Sequence, residues 1–183
     1  AAAQAGLKIV PEAAGWTLAE GATFRNNAAG EEMALKLTTT EAAFRKAWTA
    51  VFEEQMKACG LRIVRFHTPA SWLFGNTTGL ARRDFELAAF AWVGEADPGG
   101  RTLYACDQIP GPENGWQGQN FMGWCNPRAD EAIRAATSSL GREERREAYR
   151  TVQEEFTKDL PSLPLFMRVN VNAGNPALEN FAP

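Results

Sequence analysis

The sequence contains a single histidine, and none of its three cysteines is spaced as CxxC. No apolar run approaches the roughly 18 residues that a membrane-spanning helix needs, and the N-terminus lacks the charged and apolar regions of a signal peptide. Its 19 Lys and Arg against 22 Asp and Glu give a net charge of -3, without the basic excess typical of nucleic-acid binding. We therefore expect no metal site, no nucleic-acid partner and no membrane span.

Motifs of the common catalytic and nucleotide-binding sites are also missing. The patterns GxxxxGK[ST], GxGxxG, HExxH and GxSxG do not occur in any register. His67 would have to serve any Ser/His/Asp or Cys/His mechanism, yet it ends a predicted strand, where a surface or edge histidine is commoner than a general base. The sequence thus predicts a chain that is not an enzyme and holds no cofactor.

What the sequence does contain is enough apolar material for one core, since 45% of its 183 residues are hydrophobic. Alternation predicts a strand over 31 to 39, and helical spacing predicts a helix with Thr40 as its N-cap and Gly60 at its end. A β-branched run predicts a second strand over 61 to 67. A third run, 85 to 92, is apolar on both faces, as in a parallel strand buried between helices. This order predicts an α/β fold.

The second half of the chain is predicted to be a long loop followed by helices. Glycine and proline dominate the loop, and an Asn-Pro pair provides an N-cap and a first helical residue. The predicted elements are a loop over 94 to 123, a helix opening at Asn126-Pro127, an amphipathic helix over 142 to 160 and a strand over 163 to 171.

Polar and aromatic residues follow the third predicted strand, in the sequence AWVGEADPGG. The carboxyl ends of strands are where open α/β sheets place ligands, so Trp92, Gly94, Glu95 and Asp97 are the candidate binding residues. An indole supplies a rigid apolar wall, glycine permits close backbone approach, and a carboxylate pairs with an ammonium group. The alternative, which these residues alone slightly favour, is that Trp92 belongs to the core and that the polar residues form a solvated turn.

The cysteines leave two interpretations open. Cys59 lies on the apolar side of the predicted helix, where a buried free thiol is usual. Cys106 and Cys125 flank an irregular stretch, and a disulfide between them would close a loop of about 20 residues and contribute about 3 kcal/mol in the chain-entropy model. On these residues alone the disulfide is slightly favoured over two unrelated, half-buried thiols.

Several segments together resemble the C-terminal half of family 5 extracellular solute-binding proteins, the dipeptide- and oligopeptide-binding components of ABC importers. The last two segments, in this order and spacing, are fairly specific. The segments are EAAGW at 12 to 16, EEQMKACGLRIV at 53 to 64, DFELAAFAWVGEADP at 84 to 98, NFMGWCNPRADEAI at 120 to 133 and EERREAYRTVQEEFTKDLPSLPLF at 143 to 166.

The resemblance implies a fold and a division of the chain. Residues 1 to 183 would form one α/β lobe of a periplasmic-binding-protein-like fold of type II, cluster C, with a central mixed sheet flanked by helices. Within it, residues 1 to 30 would be an N-terminal lead-in and residues 94 to 125 a loop region beside the cleft. Residues 163 to 183 would be a strand and tail returning toward a missing N-terminal lobe of the same protein.

The resemblance also implies roles for particular residues. In the dipeptide-binding members a Trp followed three residues later by an acid faces the cleft, and the acid pairs with the ligand's α-ammonium group. Trp92 and Glu95 occupy those positions, although this chain has Glu where those members carry Asp and a shorter loop before Asp97. Those members also bridge two cysteines placed like Cys106 and Cys125, which makes the disulfide the expected state and points to an exported protein.

The sequence thus predicts a non-catalytic importer component that encloses a peptide or similar small solute between two lobes and delivers it to membrane permease subunits. The expected location is extracytoplasmic, in the periplasm or on the outer face of the cell membrane, with lipid anchoring left open. Within this interpretation the solute is alternatively a sugar, an opine or a metal chelate. Two rival hypotheses are a small hydrolase that uses Glu95, Asp97 and Cys106, and a partner-binding domain without a pocket beside Trp92.

Overall fold

The strands of the described residues form one small parallel sheet. The computed structural model describes residues 11–93 and 99–167. Strands β1 (Ala34–Thr40), β2 (Arg62–Thr68) and β3 (Leu87–Ala89) lie in the order β2-β1-β3, and both neighbouring pairs are parallel. Antiparallel pairing among the described residues is confined to isolated bridges in the lead-in segment. The predicted α/β class is confirmed.

Helices connect the strands and form the second half of the chain. The helix α1 (Ala43–Lys57) crosses over from β1 to β2, and the short helix α2 (Ala70–Leu73) follows β2. After β3 come one short helix, two single 3-10 turns and two long helices. They are α3 (Arg101–Tyr104), the turns Cys106–Gln108 and Pro112–Asn114, α4 (Pro127–Ser138) and α5 (Arg142–Asp159); another 3-10 turn, Gly79–Arg82, precedes β3.

One face of the sheet is covered by α1. The register pairs Leu35 with Ile63 and Leu37 with Arg65, so these four side chains share a face. Leu37 and Ile63 are buried there, and Arg65 forms an ion pair with Glu53 of α1 at 2.6 Å. Helix α1 therefore seals the apolar centre of this face and leaves charged groups at its margin.

Two predicted boundaries in this half were wrong. Thr40 is not the N-cap of α1: it pairs with Thr68 as the last residue of β1, and Ala42 occupies the N-cap position without a side-chain hydrogen bond. The third strand, predicted over 85 to 92, spans only Leu87–Ala89 and its residues are half-buried. The ladder pairs β3 with Leu37 to Thr39 of β1 and so ends one residue before β1 does. At its start, the side chain of Glu86 accepts a hydrogen bond from the backbone N–H of Lys36.

The helices α4 and α5 pack against each other as a hairpin. The inner face of α4 contains Ile133 and Ala136, which are buried as the spacing predicts. Asn126 caps α4 as predicted, because its Oδ1 accepts hydrogen bonds from the backbone N–H groups of Arg128 and Ala129, both at 3.1 Å. The same side chain donates to Asp159 Oδ2 at 3.0 Å. One residue thus starts α4 and ties it to the end of α5.

The described part of the lead-in is held by a buried arginine. Arg25 is 3% exposed and donates from Nε to the carbonyl of Cys59 and from Nη1 to the carbonyl of Trp16, both at 3.1 Å. It also forms an ion pair with Glu12, at 3.5 Å. Cys59 is a free thiol as predicted, but it is half-buried in the turn after α1 rather than buried on the helix.

The chain after α5 runs without regular structure as far as it is described. Residues 163 to 167 carry no strand pairing, and the remainder of the predicted strand over 163 to 171 lies outside the described residues. Phe166 contacts Trp48 of α1 edge-on, with ring centroids 6.4 Å apart. Among the helices of the described ranges, none is both long and apolar enough to cross a bilayer.

Candidate functional site

The carboxyl end of β3 is fixed by two side chains from neighbouring elements. The carbonyl oxygen of Ala89 accepts a hydrogen bond from Thr39 Oγ1 at 2.6 Å and another from Arg45 Nη1 at 3.0 Å. Thr39 is fully buried in β1, and Arg45 lies in the first turn of α1. Two donors on one carbonyl hold the point from which the chain continues to Trp92.

An aromatic surface lies just beyond this point, and it consists of Phe74, Phe90, Trp92 and Phe121. Phe90 is at its centre and meets each of the other three rings with centroids 5.6 to 6.1 Å apart. Trp92 and Phe121 are nearly parallel, at 15° and 6.3 Å. These separations lie in the range of favourable aromatic pairs. Trp92 is 48% exposed, so it is not a core residue.

Phe121 reaches this surface from a loop that is closed by a disulfide. The bond between Cys106 and Cys125 is present, with the Cα atoms 4.7 Å apart. Inside the loop, the buried Asn120 donates from Nδ2 to the carbonyls of Ala105 and Trp124, at 3.0 and 2.8 Å. Cys106 therefore has no thiol, and the hypothesis of a hydrolase that uses it as a nucleophile lacks its reactive group.

Only one of the predicted binding residues can be placed. Trp92 lies where the sequence predicted, at the carboxyl side of β3, and it faces solvent rather than the core. Gly94, Glu95 and Asp97 lie outside the described residues. Their role in binding therefore stays a prediction. Glu95 is related to the aromatic surface only by its sequence position, three residues after Trp92.

The lone histidine is engaged with a helix side chain. Thr49 Oγ1 donates to the carbonyl of Arg45 at 2.7 Å, so it can only accept from His67 Nε2, 3.2 Å away. Partial burial lowers the pKa of His67, and the positive charges of Arg65 and Lys46 lower it further. His67 lies on β2, an edge strand of the described sheet, as the sequence predicted, and burial together with the two nearby positive charges favours its neutral form.

Two cavities among the described residues lie away from Trp92. One has a volume of about 340 Å³ and the other about 380 Å³, and both lie between the lead-in and the end of α1. Their linings share Thr23, Glu54 and Lys57, so they are polar and charged. In the described ranges no cluster of His, Cys, Asp or Glu could hold a metal ion. Among the described residues, Trp92 belongs to an exposed aromatic surface that does not line either of these cavities.

Sequence reasoning missed Phe121 and the two residues that hold the end of β3. Phe121 is 29 positions from Trp92, and nothing in the local pattern NFMGWC distinguishes a ring in a surface cluster from a ring in the core. Thr39 and Arg45 were missed because they act on a carbonyl about 45 to 50 positions away. The one available signal was that Asn120 and Phe121 lie between two cysteines expected to be bridged.

Comparison with curated proteins finds relatives that bind peptides. Over 91 residues, 48% of this chain, it is 43% identical to the peptide transport periplasmic protein SapA of Salmonella typhimurium. Over 85 residues, 45% of this chain, it is 30% identical to the dipeptide-binding protein of Pseudomonas aeruginosa. These regions are 16% and 15% of the relatives' own lengths, so the match spans about a sixth of each. No family model matches the chain.

Solved structures share the fold over most of this chain. The oligopeptide-binding protein of Thermus thermophilus, complexed with a pentapeptide, matches with a TM-score of 0.79 and 23% identity, covering 88% of this chain and 29% of that one. The oligopeptide-binding protein AppA of Bacillus subtilis, complexed with a nonapeptide, matches with a TM-score of 0.69 and 21% identity, covering 84% and 29%. The fold is thus that of part of a solute-binding protein.

These comparisons confirm the resemblance that the sequence segments carry. The homologues of this chain are peptide- and dipeptide-binding proteins of the family 5 solute-binding type, and the chain covers only a part of them. The two structural neighbours described above are oligopeptide-binding proteins, and others with the same fold are described in complex with a nickel–histidine chelate or with stachyose.

Proposed function

We propose that this chain is the solute-contacting lobe of a binding protein that serves an ABC importer, and that the solute is a peptide. The observation that carries the proposal is the half-exposed Trp92, which follows the carboxyl end of β3 in a fold shared with oligopeptide-binding proteins. Ligands of open α/β sheets bind at this edge. The names of the relatives, which transport or bind peptides, support the peptide class.

The proposed mechanism is enclosure without chemistry. A second lobe of the same polypeptide would close over the aromatic surface and exclude water from the solute. Trp92 would provide an apolar wall, Gly94 would let the backbone approach the peptide, and Glu95, with Asp97 beside it, would pair with its α-ammonium group. Since the disulfide consumes Cys106, that residue is not available as a nucleophile.

The proposal includes a location and partners. A protein of this kind would work outside the cytoplasm and deliver its solute to the permease subunits of the importer. The disulfide supports this location, because such bonds persist in oxidising compartments. The description of one relative as a periplasmic protein supports it as well.

Calorimetric titration tests the proposal. A defined mixture of dipeptides is titrated into this chain and into the full-length protein that contains it. We expect strong binding by the full-length protein and weak binding by this chain, because half of the contacts would come from the other lobe. In the full-length protein, Glu95→Gln should weaken binding of a free dipeptide but not of its N-acetylated form. Equally tight binding by the isolated chain would contradict the two-lobe mechanism.

A second candidate function is a partner-binding domain, which the open aromatic surface favours. A surface on which Phe74 and Trp92 are about half-exposed is also what a protein partner would cover. The same titration separates the two candidates. A full-length protein that binds no dipeptide, and no sugar or metal chelate offered in parallel, would favour the partner-binding function.

A further inference from the structure

Phe121 is part of the aromatic surface, although its position in the sequence does not predict this. Its ring lies nearly parallel to the Trp92 indole, with centroids 6.3 Å apart, and edge-on to Phe90 at 6.1 Å. Phe121 is half-buried, and the adjoining indole is half-exposed. The two rings thus offer a continuous apolar area that is only partly covered by the protein itself.

The loop that carries Phe121 is held in place by buried hydrogen bonds, by a close backbone contact and by the disulfide. Its neighbour Asn120 is fully buried, donates to two backbone carbonyls and, through its own backbone N–H, donates to the carbonyl of Gln108 at 2.9 Å. Gly118 approaches the same Gln108 carbonyl so closely that a Cβ there would lie 2.1 Å from its oxygen. The disulfide closes the loop around these contacts. Phe121 is therefore presented in a preorganised position, which lowers the entropy cost of binding.

We propose that Phe121 is a solute-contacting residue and that, with Trp92, it forms a subsite for an apolar side chain of the bound peptide. The inference rests on the proposed function. In the proposed function the peptide lies against Trp92, so one of its side chains would lie over the adjoining Phe121 ring. The cation–ring contacts in the described ranges involve rings other than Trp92 and Phe121, such as Lys36 over Phe66 at 5.7 Å, so they do not indicate a cationic side chain for this subsite. An aromatic or branched apolar side chain is the class that such a wall accepts.

The geometry is tested first, without a ligand. The chain is produced with 5-fluorotryptophan, which gives one ¹⁹F resonance for each of its six Trp residues, and Trp92→Phe assigns one of them. Phe121→Leu should shift the Trp92 resonance, because it removes the nearly parallel ring, and Phe121→Tyr should largely restore it. Phe66→Leu is the matched control, since Phe66 is an exposed ring that contacts Trp72 instead. An unchanged Trp92 resonance in Phe121→Leu would overturn the proposed pair.

The subsite is tested with two tripeptides, Ala-Ala-Ala and Ala-Phe-Ala, titrated against the same ¹⁹F resonances, which report binding even when it is weak. We expect the wild-type chain to prefer Ala-Phe-Ala by roughly three- to tenfold. Phe121→Leu should reduce that preference and leave the affinity for Ala-Ala-Ala unchanged, and Phe66→Leu should change neither.

The outcomes separate this inference from the function on which it rests. If both tripeptides shift the Trp92 resonance and Phe121→Leu weakens them equally or not at all, the subsite is overturned while peptide binding stands. If neither tripeptide shifts the Trp92 resonance in the wild-type chain or in the full-length protein, the proposed function fails and the subsite fails with it.

Discussion

The sheet region, from β1 to β3, and the helical region, from the disulfide loop to α5, cover their apolar side chains to different extents. In the helical region the inner face of α4 is closed, with Ile133 1% exposed. In the sheet region, α1 leaves Phe44 and Val51 exposed on its outer side, and β2 leaves Val64 and Phe66 exposed on the face that α1 does not cover. Among the described residues, the helical region leaves one large apolar side chain exposed, Leu140 between α4 and α5, whereas the sheet region leaves several exposed and so presents surfaces suited to further contacts.

The two regions also differ in how their ends are fixed. In the helical region Asn126 caps α4, binds Asp159 and Glu155, and lies next to the disulfide. Helix α1 of the sheet region has no side-chain cap at Ala42. Stability should therefore depend on the helical region, while the proposed binding surface is built where the two regions meet, at Trp92 and Phe121. The following substitutions test this division.

The largest difference is expected between a buried and an exposed apolar side chain. Ile133→Ala should lower the free energy of unfolding by about 2 to 5 kcal/mol, because it leaves a cavity in the closed face of α4. Val51→Ala, at a residue that is 59% exposed on α1, should change it by less than about 0.5 kcal/mol. Urea unfolding followed by circular dichroism measures both. Equal losses of unfolding free energy would show that Val51 on α1 is buried to the same extent as Ile133 on α4.

Loss of the disulfide should come next. The double variant Cys106→Ser and Cys125→Ser should lose about 3 kcal/mol in the chain-entropy model, since the bridge closes a loop with a sequence separation of 19. Cys59→Ser, at the free and half-buried thiol, is the matched control and should cost much less. Urea unfolding measures the loss, and a loss confined to the Cys59 variant would contradict the importance of the loop.

The capping residues are expected to have an intermediate effect. Asn126→Ala should cost about 1 to 2 kcal/mol, because two backbone N–H groups of α4 lose their acceptor. Asn126→Ser keeps a capping oxygen but removes the hydrogen bond to Asp159, so it should fall between the wild type and the alanine variant. Thermal unfolding of the three proteins would contradict this account if serine and alanine were equally destabilising.

The same comparison predicts that a substitution in the sheet region can increase the stability of the protein. Ala42→Ser places a hydroxyl at the uncapped start of α1 and should stabilise the protein by up to about 1 kcal/mol. Ala13→Ser, in the described lead-in and exposed, controls for a general effect of serine. An unchanged unfolding midpoint for Ala42→Ser would show that the backbone at residue 42 does not direct a side chain toward the helix N–H groups.

Local patterns predicted most of the helices and the first two strands, because each follows from residue spacing and capping chemistry within a few positions. Asn126-Pro127 and the buried Ile133 are examples. The length of β3 could not be predicted, because it depends on which residues of the distant strand β1 pair with it. Nor could the pairing of Trp92 with Phe121 or the bond from Arg45 to Ala89, which depend on the tertiary path of the chain. Local sequence therefore indicated Trp92 as a candidate but not the rings that surround it, and the binding role of the predicted residues stays a prediction.

The smallest expected effect is a pH dependence of stability that arises from His67, at the contact between the sheet and α1. The pKa of His67 is lowered in the folded protein, first by burial and then by Arg65 and Lys46, so the unfolded chain binds its proton more readily. Stability from this group is fully present above the unfolded pKa of about 6.5 and decreases as the pH falls below it. The decrease in stability levels off once the pH is below the pKa of His67 in the folded protein.

His67→Gln should remove this dependence, because glutamine does not titrate in that range and still offers a donor to Thr49. Unfolding in urea between pH 7.5 and 5.5 measures the difference between the two proteins. Thr49→Val should leave the direction of the effect in place, since burial rather than the hydroxyl is the main cause of the lowered pKa. If the stability of the wild type rose relative to His67→Gln as the pH fell, His67 would have to be charged in the folded state, and the packing of α1 against β2 would differ from the one described.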